Sequence, residues 1–487
     1  MTRRREPLAL WTCVIGAWLS LGFALYLTLL PFEFGEMGLE EAWSLYRDMS
    51  LQGPGTSGRA QFMANVMMFM PLGFFWMAWL THGRDRLVWH LGALALVALL
   101  GLATTATAEF LQIWLPYRYP AGADIAGNFL GAVAGALMWW GLRRPLLHWR
   151  GQLAGPNRVI VPAVLIAYAL LYVAIGLAPF DLVLSSAEWS QRLGPSAWGL
   201  WVATGACTSG LRCISELGLT LVASVPVGIL LAYGGLRRRP PANGAVLVIL
   251  AALLAILLEA LNLATLSGIA EGRSAVLRGA GFVTGILLHA YLSPLQVMQA
   301  LQRAAIPLLV VAAPLYGAAL LVLNHDLGPY HWNPAAISAQ WAQLNLWPFY
   351  YHYFVGETVA LRSAALHVAM YLPLGALIWL AQIRRPLHPR QLQWLAALGG
   401  LLVALLMEGG KLLVVGLRPD PASLILATAA AWGMATALHF LTRLATEAST
   451  TSCTRTRPPG SAPVTAGRST VINEPARREH ERDELQF

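Results

Sequence analysis

Charged residues are scarce in this chain of 487 residues. Asp, Glu, Lys and Arg make up only 12% of the sequence, whereas hydrophobic residues make up 57%. This balance excludes an ordinary soluble globular protein, in which about a quarter of the residues are charged. The chain has a single lysine, Lys411, and no basic patch interleaved with aromatic residues. Nucleic acid is therefore not an expected partner.

Cysteine is also scarce. The four cysteines form no Cys-x-x-Cys pair and no Cys/His cluster with metal-ligand spacing, so we expect neither a metal nor a cofactor. Cys207 and Cys213 share one loop, in which they form either a disulfide or two free thiols.

Long apolar stretches recur along the whole chain. A hydrocarbon core about 30 Å thick requires about 20 apolar residues per spanning helix. We therefore predict an all-α, polytopic integral membrane protein with about twelve transmembrane helices. The predicted spans are 8–30, 62–80, 87–112, 122–142, 158–177, 214–234, 243–262, 275–293, 304–323, 364–382, 391–416 and 421–442.

Arginine placement predicts the orientation of these helices. The N-terminus and every second connecting segment carry 16 arginines and two acidic residues, whereas the alternate segments carry eight arginines and 11 acidic residues. Because cytoplasmic loops are enriched in basic residues, we expect both termini in the cytoplasm of a bacterium, with the protein in its inner membrane.

The segments outside the predicted helices differ in character. Three long outward loops (31–61, 178–213 and 324–363) are rich in Trp, Tyr, Pro and Gly, which predicts short amphipathic pieces at the membrane interface. From residue 446 onward Ser, Thr, Pro, Arg and Glu dominate, which predicts a disordered cytoplasmic tail over 446–487.

Three parts of the sequence can be laid over each other as four-helix units. Each has an outward Pro-Phe pair, a Pro-x-Gly inside its second helix and a glutamate near the end of its third helix. The predicted units are residues 1–150, 151–300 and 301–445, in parallel orientation. Internal repeats of this kind are common in membrane transport folds.

The first unit holds the fullest set of polar residues. Asp124 and Asn128 are four residues apart on one helix face, and Gly131 and Gly135 continue that face as a close-packing stripe. Pro71 is expected to kink the second helix. Ionisable residues at membrane depth are costly and therefore candidates for function. The predicted pocket consists of Asn65, Glu109, Gln112, Arg118, Asp124 and Asn128.

The other two units keep the glutamate but lose most of this set. Ser274 and Ser423 replace Asp124. Secondary candidates there are Glu259, His367, Glu408, Lys411 and Arg418. Glu408 and Lys411 are three residues apart on a helix and are expected to pair. In every unit the alternative interpretation is that the polar side chains only tie helices together.

The first unit resembles the VanZ-like family over residues 25–142; the third unit resembles it partly and the second faintly. The resemblance lies in Asn65, in Phe69 to Gly73, in Glu109-x-x-Gln112 and in Asp124-x-x-x-Asn128-x-x-Gly131-x-x-x-Gly135. It implies a small multi-helix protein of the bacterial cell envelope. The name-giving member is associated with low-level resistance to the glycopeptide teicoplanin, but the family has no agreed biochemical activity.

Three functions remain open on the sequence alone. The first is binding or transport of an envelope lipid or lipid-linked precursor at the outer face. The second is an enzyme acting on a lipid-linked substrate, with Glu109 or Asp124 as acid or base and Arg118 holding a phosphate. The third is a membrane scaffold for envelope or polysaccharide assembly, whose protein partners the sequence does not name.

Overall fold

The computed structural model is built almost entirely from α-helices. It describes residues 6–49, 55, 58–116, 118–152, 160–178, 180–194, 196–203, 211–236, 243–325 and 329–455. Within these ranges the only paired strands are β1 (Trp198–Gly199) and β2 (Ala270–Glu271), which run parallel. The all-α fold class predicted from composition is confirmed.

The helices fall into three consecutive groups, which we call the first, second and third segments. The first segment contains α1 (Glu6–Leu29), α2 (Leu39–Arg47), α3 (Arg59–Leu80), α4 (Leu87–Gln112) and α5 (Gly122–Gln152). The second segment contains α6 (Ile160–Leu177), α7 (Ser186–Arg192), α8 (Leu211–Leu236), α9 (Gly244–Leu261) and α10 (Gly272–Tyr291). The third segment contains α11 (Pro294–His325), α12 (Pro334–Ala342), α13 (Tyr350–Tyr353), α14 (Glu357–Ala381), α15 (Pro389–Lys411) and α16 (Ala422–Arg455).

Within the described ranges, ten helices are long and apolar enough to cross a membrane. They coincide with ten of the twelve predicted spans. The other two predicted spans are also helical, as α6 and α10. The apolar stretch described for α6, Val164–Leu177, is shorter than the rest. Helix α10 carries Arg273 and Arg278, which make it less apolar.

Short helices occupy the long loops, as the sequence predicted. They are α2, α7, α12 and α13. Helix α7 begins with a capping box, in which the Ser185 hydroxyl accepts the Glu188 N–H and the Glu188 carboxylate accepts the Ser185 N–H. We call the end of the molecule that carries these loops the loop-rich end.

The C-terminal region departs from the predicted boundary. Helix α16 continues to Arg455, past residue 446, where the tail was expected to lose regular structure. Extending an existing helix needs no new nucleus, so a polar stretch can continue one that membrane packing has already formed. The remaining tail (456–487) lies outside the described residues. Cys207 does too, whereas Cys213 is disulfide-bonded.

The Pro-Phe pairs share one backbone conformation. Phe32, Phe180 and Phe349 have φ values of 64°, 65° and 64°. This left-handed region is uncommon for residues other than glycine. The same turn thus follows the first long helix of the first and second segments and precedes the second long helix of the third.

In each segment a glycine lets two long helices approach closely. Helices α3 and α5, α8 and α10, and α14 and α16 pack directly on each other. A β-carbon on the glycine would collide with a carbonyl oxygen of the partner helix in the pairs Gly73–Ala132, Gly228–Phe282 and Gly375–Ala431. The same holds for the predicted close-packing stripe on α5. A β-carbon on Gly131 or Gly135 would collide with the carbonyl oxygen of Val66 or Met70 on α3.

Contacts at the loop-rich end join the segments to one another. Arg59 of α3 donates to both carboxylate oxygens of Glu188 on α7 at 2.9 Å, and to the Leu182 carbonyl at 2.7 Å. Arg362 of α14 donates to Glu216 of α8 at 2.8 Å. These ion pairs link the first segment to the second and the second to the third.

Gly73→Ala tests the close approach of α3 and α5. Overpacking a tight helix contact costs about 1–3 kcal/mol, so the thermal midpoint in detergent should fall. The matched control is Gly92→Ala on α4, where an added β-carbon meets nothing within 4 Å. The control midpoint should stay level or rise slightly, because alanine favours helix over glycine. Equal midpoints for the two variants would contradict the close approach of α3 and α5.

Glu188→Gln tests the pairing of the loop with α3. The hydrogen bond from Arg59, followed by backbone donors, lowers the pKa of Glu188 to about 2. A carboxylate whose pKa is lowered by folding stabilises the fold at pH values above its ordinary pKa, near 4.5. This contribution to stability is lost as the pH falls towards 2. The wild type should therefore melt above the variant from pH 7 to about pH 4.5, and the gap should narrow below that. Glu36→Gln, in an exposed loop, should show no such gap at any pH.

Candidate functional site

Asp124, in the first turn of α5, is the acceptor for two amide side chains of α3. The Asn65 side chain donates to it at 2.8 Å and the Gln61 side chain at 3.0 and 3.2 Å. Gln61 and Asn65 are four residues apart and so share one face of α3. Two helices are thereby joined at the loop-rich end through one carboxylate.

Glu109 lies near the end of α4 and is almost fully buried, with 3% of its surface exposed. Its Oε2 accepts the backbone N–H of Ala121 at 3.2 Å, in the turn that leads into α5. The charges of Asp124 and Arg118 both act on it. We call Gln61, Asn65, Glu109, Arg118 and Asp124 together the Glu109–Asp124 site.

Arg118 brings a positive charge to the turn between α4 and α5. Its guanidinium lies over the ring of Tyr353, 4.8 Å from the ring centre. The Nε atom is buried without a hydrogen-bond partner. The Tyr353 hydroxyl in turn donates to the Pro116 carbonyl at 2.9 Å. Helix α13 of the third segment thus covers the edge of a site built by the first segment.

A tyrosine of α2 covers another side of this site. The Tyr46 hydroxyl donates to the Ala106 carbonyl of α4 at 3.2 Å. Burial, and secondarily the negative charge of Glu109, raises the pKa of the Tyr46 phenol. Its phenol therefore remains a neutral hydrogen-bond donor at neutral pH.

Two of the six predicted pocket residues tie helices together. The Gln112 side chain donates to the Thr28 carbonyl of α1 at 2.6 Å. The Asn128 side chain donates to the Thr105 hydroxyl of α4 at 2.9 Å. The structure therefore brings Asn65, Glu109, Arg118 and Asp124 together, whereas Gln112 and Asn128 bond to α1 and α4.

The glutamates of the other segments carry their own cations. Arg278 Nε donates to Glu259 Oε2 at 2.9 Å. Lys411 Nζ donates to both oxygens of Glu408 at 2.8 and 2.9 Å, which confirms the predicted pairing. Both carboxylates are buried, and such ion pairs lower the cost of burying them.

Among the described residues, neither of the remaining secondary candidates bonds to Glu408. His367 Nδ1 lies 2.8 Å from the carbonyl oxygen of Ser363, one turn earlier on its own helix. Arg418 is exposed in the turn between α15 and α16.

Three contributing residues were missed by the sequence reasoning. Gln61 precedes Asn65 by one helical turn, so the face that predicted Asn65 could have revealed it. Thr105 precedes Glu109 by one turn in the same way. Tyr353 comes from a loop far along the chain, and no periodic signal connects it to Arg118.

A separate cavity of about 410 Å³ lies in the third segment, between α11, α14 and α15. Its lining is apolar apart from Tyr316, whose hydroxyl donates to the Met370 carbonyl at 2.9 Å. Because the Tyr316 hydroxyl already donates to a carbonyl group, the cavity offers a ligand mainly apolar contacts. Among the described residues, no group of three or more His, Cys, Asp or Glu side chains could hold a metal ion.

The fold defines a multi-pass helical membrane protein. Residues 9–144, which include most of α1, all of α2 to α4 and most of α5, match the family model described as VanZ/LLP1. The resemblance to the VanZ-like family stated for residues 25–142 is thereby confirmed for the first segment. No curated protein and no solved structure matches the chain.

Thr105→Val tests whether Asn128 ties α5 to α4. The change removes the hydroxyl acceptor while keeping the side-chain shape, and hydrogen bonds between membrane helices contribute about 0.6 kcal/mol on average, up to about 1.7. The free energy of unfolding in micelles should fall by that order. Thr436→Val is the control, since that exposed hydroxyl bonds only within its own helix, to the Trp432 carbonyl. A loss no larger than that of the control would exclude the tie.

Proposed function

We propose that this chain is a VanZ-like protein of the bacterial inner membrane that binds an envelope lipid or a lipid-linked precursor at the Glu109–Asp124 site. The observation that carries the proposal is the assembly of two carboxylates, two amides and one guanidinium at one end of membrane-grade helices. Polar groups at membrane depth are costly, and a polar headgroup is a ligand that would use them.

The proposal includes three four-helix units, residues 1–150, 151–300 and 301–445, of which the first holds the site. Support comes from geometry that recurs in each segment: the left-handed Phe and the glycine facing a carbonyl group. The glutamate contact also recurs, because Glu109, Glu259 and Glu408 each accept the N–H of the residue twelve positions later. With the N-terminus in the cytoplasm, as the arginine distribution favours, twelve spans place the loop-rich end outside.

Binding is favoured over catalysis because a binding site needs only complementary groups. One observation supports the enzymatic alternative: Asp124 is oriented by two amide donors, as a catalytic carboxylate would be. The isosteric change Asp124→Asn separates the two, because it removes a proton acceptor while keeping the shape of the side chain. If the Asp124→Asn protein still binds a lipid-linked substrate but no longer converts it, the enzymatic alternative is favoured.

Mass spectrometry of lipids that copurify with the full-length protein tests the proposal. We expect the wild type to retain a specific polar or polyprenyl-linked lipid, and Glu109→Gln and Asp124→Asn to lose at least ten-fold of it. Glu40→Gln, at an exposed position of α2, is the matched control and should retain it. Identical bulk lipid in all four proteins would refute the binding function and favour carboxylates that only tie helices. Teicoplanin sensitivity of cells expressing these variants provides a second readout, motivated by the family resemblance.

A further inference from the structure

Three buried glutamates in this chain make the same backbone contact and can be compared directly. Glu109, Glu259 and Glu408 are 3%, 5% and 4% exposed. Each accepts the backbone N–H of the residue twelve positions later, at 3.2, 2.9 and 2.7 Å respectively. Any difference among the three sites therefore lies in what else surrounds the carboxylate.

Two of the three carboxylates have a nitrogen cation built into their own segment. Arg278, nineteen residues after Glu259, donates to it from Nε at 2.9 Å. Lys411, three residues after Glu408, donates from Nζ to both oxygens at 2.8 and 2.9 Å. In each case a positive N–H donor occupies the space beside the buried glutamate, as an isolated buried carboxylate requires.

At Glu109 the two equivalent positions hold no cation. The residues three and nineteen positions later are Gln112 and Asn128, which are neutral and donate to Thr28 and Thr105 instead. Among the residues that the structure describes, no basic side chain forms an ion pair with Glu109. The Ala121 N–H donates to Glu109 Oε2, and no described residue donates to Glu109 Oε1.

A second observation, on the neighbouring helix α5, points to a missing donor. Asn128 is 1% exposed, and its Oδ1 is buried without a hydrogen-bond partner. Asn128 stands at the position that Arg278 occupies in the second segment, nineteen residues after the glutamate. Buried acceptors are almost always satisfied, so an unsatisfied one needs an explanation, such as a ligand that donates to it.

We propose that Glu109 binds an ammonium group carried by a lipid headgroup, in the place that the Arg278 and Lys411 nitrogens occupy in the other two segments. The inference rests on the proposed lipid-binding function and names its ligand class. The ammonium group donates to Glu109 Oε1 and to Asn128 Oδ1. Arg118, whose Nε has no partner, supplies the cation for the phosphate of the same headgroup.

Lipid competition in nanodiscs tests this directly. The full-length protein is reconstituted with phosphatidylglycerol and equal amounts of phosphatidylethanolamine and phosphatidylcholine, then extracted gently and examined by native mass spectrometry. Phosphatidylethanolamine has N–H donors on its ammonium group, whereas the quaternary ammonium of phosphatidylcholine has none. We expect at least ten-fold preferential retention of phosphatidylethanolamine. A separate arm contains free ethanolamine and no phosphatidylethanolamine. Bound ethanolamine in that arm would show that a soluble amine suffices, and its absence would show that the amine must be carried by a lipid.

Two variants copy the cations of the other segments into the first. Gln112→Lys places a lysine as in the third segment, and Asn128→Arg places an arginine as in the second. Each should abolish the retention of phosphatidylethanolamine, because the cation place beside Glu109 is filled. Gln343→Lys, which adds the same charge to an exposed outer-loop position, is the control and should retain it. Having two independent variants keeps the test valid if one fails to give a monodisperse protein.

The outcomes separate this inference from the proposed function. Equal retention of phosphatidylcholine and phosphatidylethanolamine by the wild type would overturn the ammonium site. So would unchanged retention by a well-folded Gln112→Lys protein. If the wild type instead holds a lipid without an amine, and Glu109→Gln loses that lipid, the binding function stands and the ammonium inference fails. If no lipid is held specifically by any protein, both fail.

Discussion

A buried carboxylate at membrane depth must find donors, and the backbone of the following turn supplies one to each of three glutamates. The donor is the N–H twelve residues after Glu109, Glu259 and Glu408. Because the donor is backbone, the side chain at that position is free to vary, and it is alanine, glutamate and aspartate in the three segments. This bond ties the turn before the next long helix to the helix that carries the glutamate.

Besides the backbone donor, a buried carboxylate needs a compensating charge or further donors, and the three segments differ in what supplies them. Arg278 and Lys411 close the second and third segments on themselves, since each glutamate finds a cation within its own helices. In the first segment the neighbours of this site come from other elements: Tyr46 of α2 donates to the Ala106 carbonyl, and Arg118 lies over Tyr353 of the third segment. Among the described residues, Glu109 is thus the one of the three glutamates that forms no ion pair, and the proposed binding site is built around it.

The sequence predicted those parts of the fold that depend on local period and spacing. Apolar length located the membrane helices, and three-residue spacing predicted the pair of Glu408 and Lys411. Asn65 and Asp124 were correctly grouped, because a polar residue within an apolar helix needs a partner on a neighbouring helix. The direction of Gln112 was not predictable, because its carbonyl acceptor on α1 depends on how α1 packs. The contact of Tyr353 with Arg118 was equally unpredictable, since the position of an irregular loop depends on how the helices assemble.

The arrangement of contacts between segments bears on whether this protein transports or only binds. Alternating access requires repeats to rock against each other around a central site. Here the loop-rich end is held by the Arg59–Glu188 and Arg362–Glu216 ion pairs, and Tyr353 of the third segment lies on the Pro116 turn of the first. The polar residues of the site lie at this same end, whereas the opposite end of the first segment carries a different set, in which Arg143 contacts His90 and Asp85. Ties of this kind oppose the rocking that alternating access requires, so the arrangement supports the proposed binding function over transport.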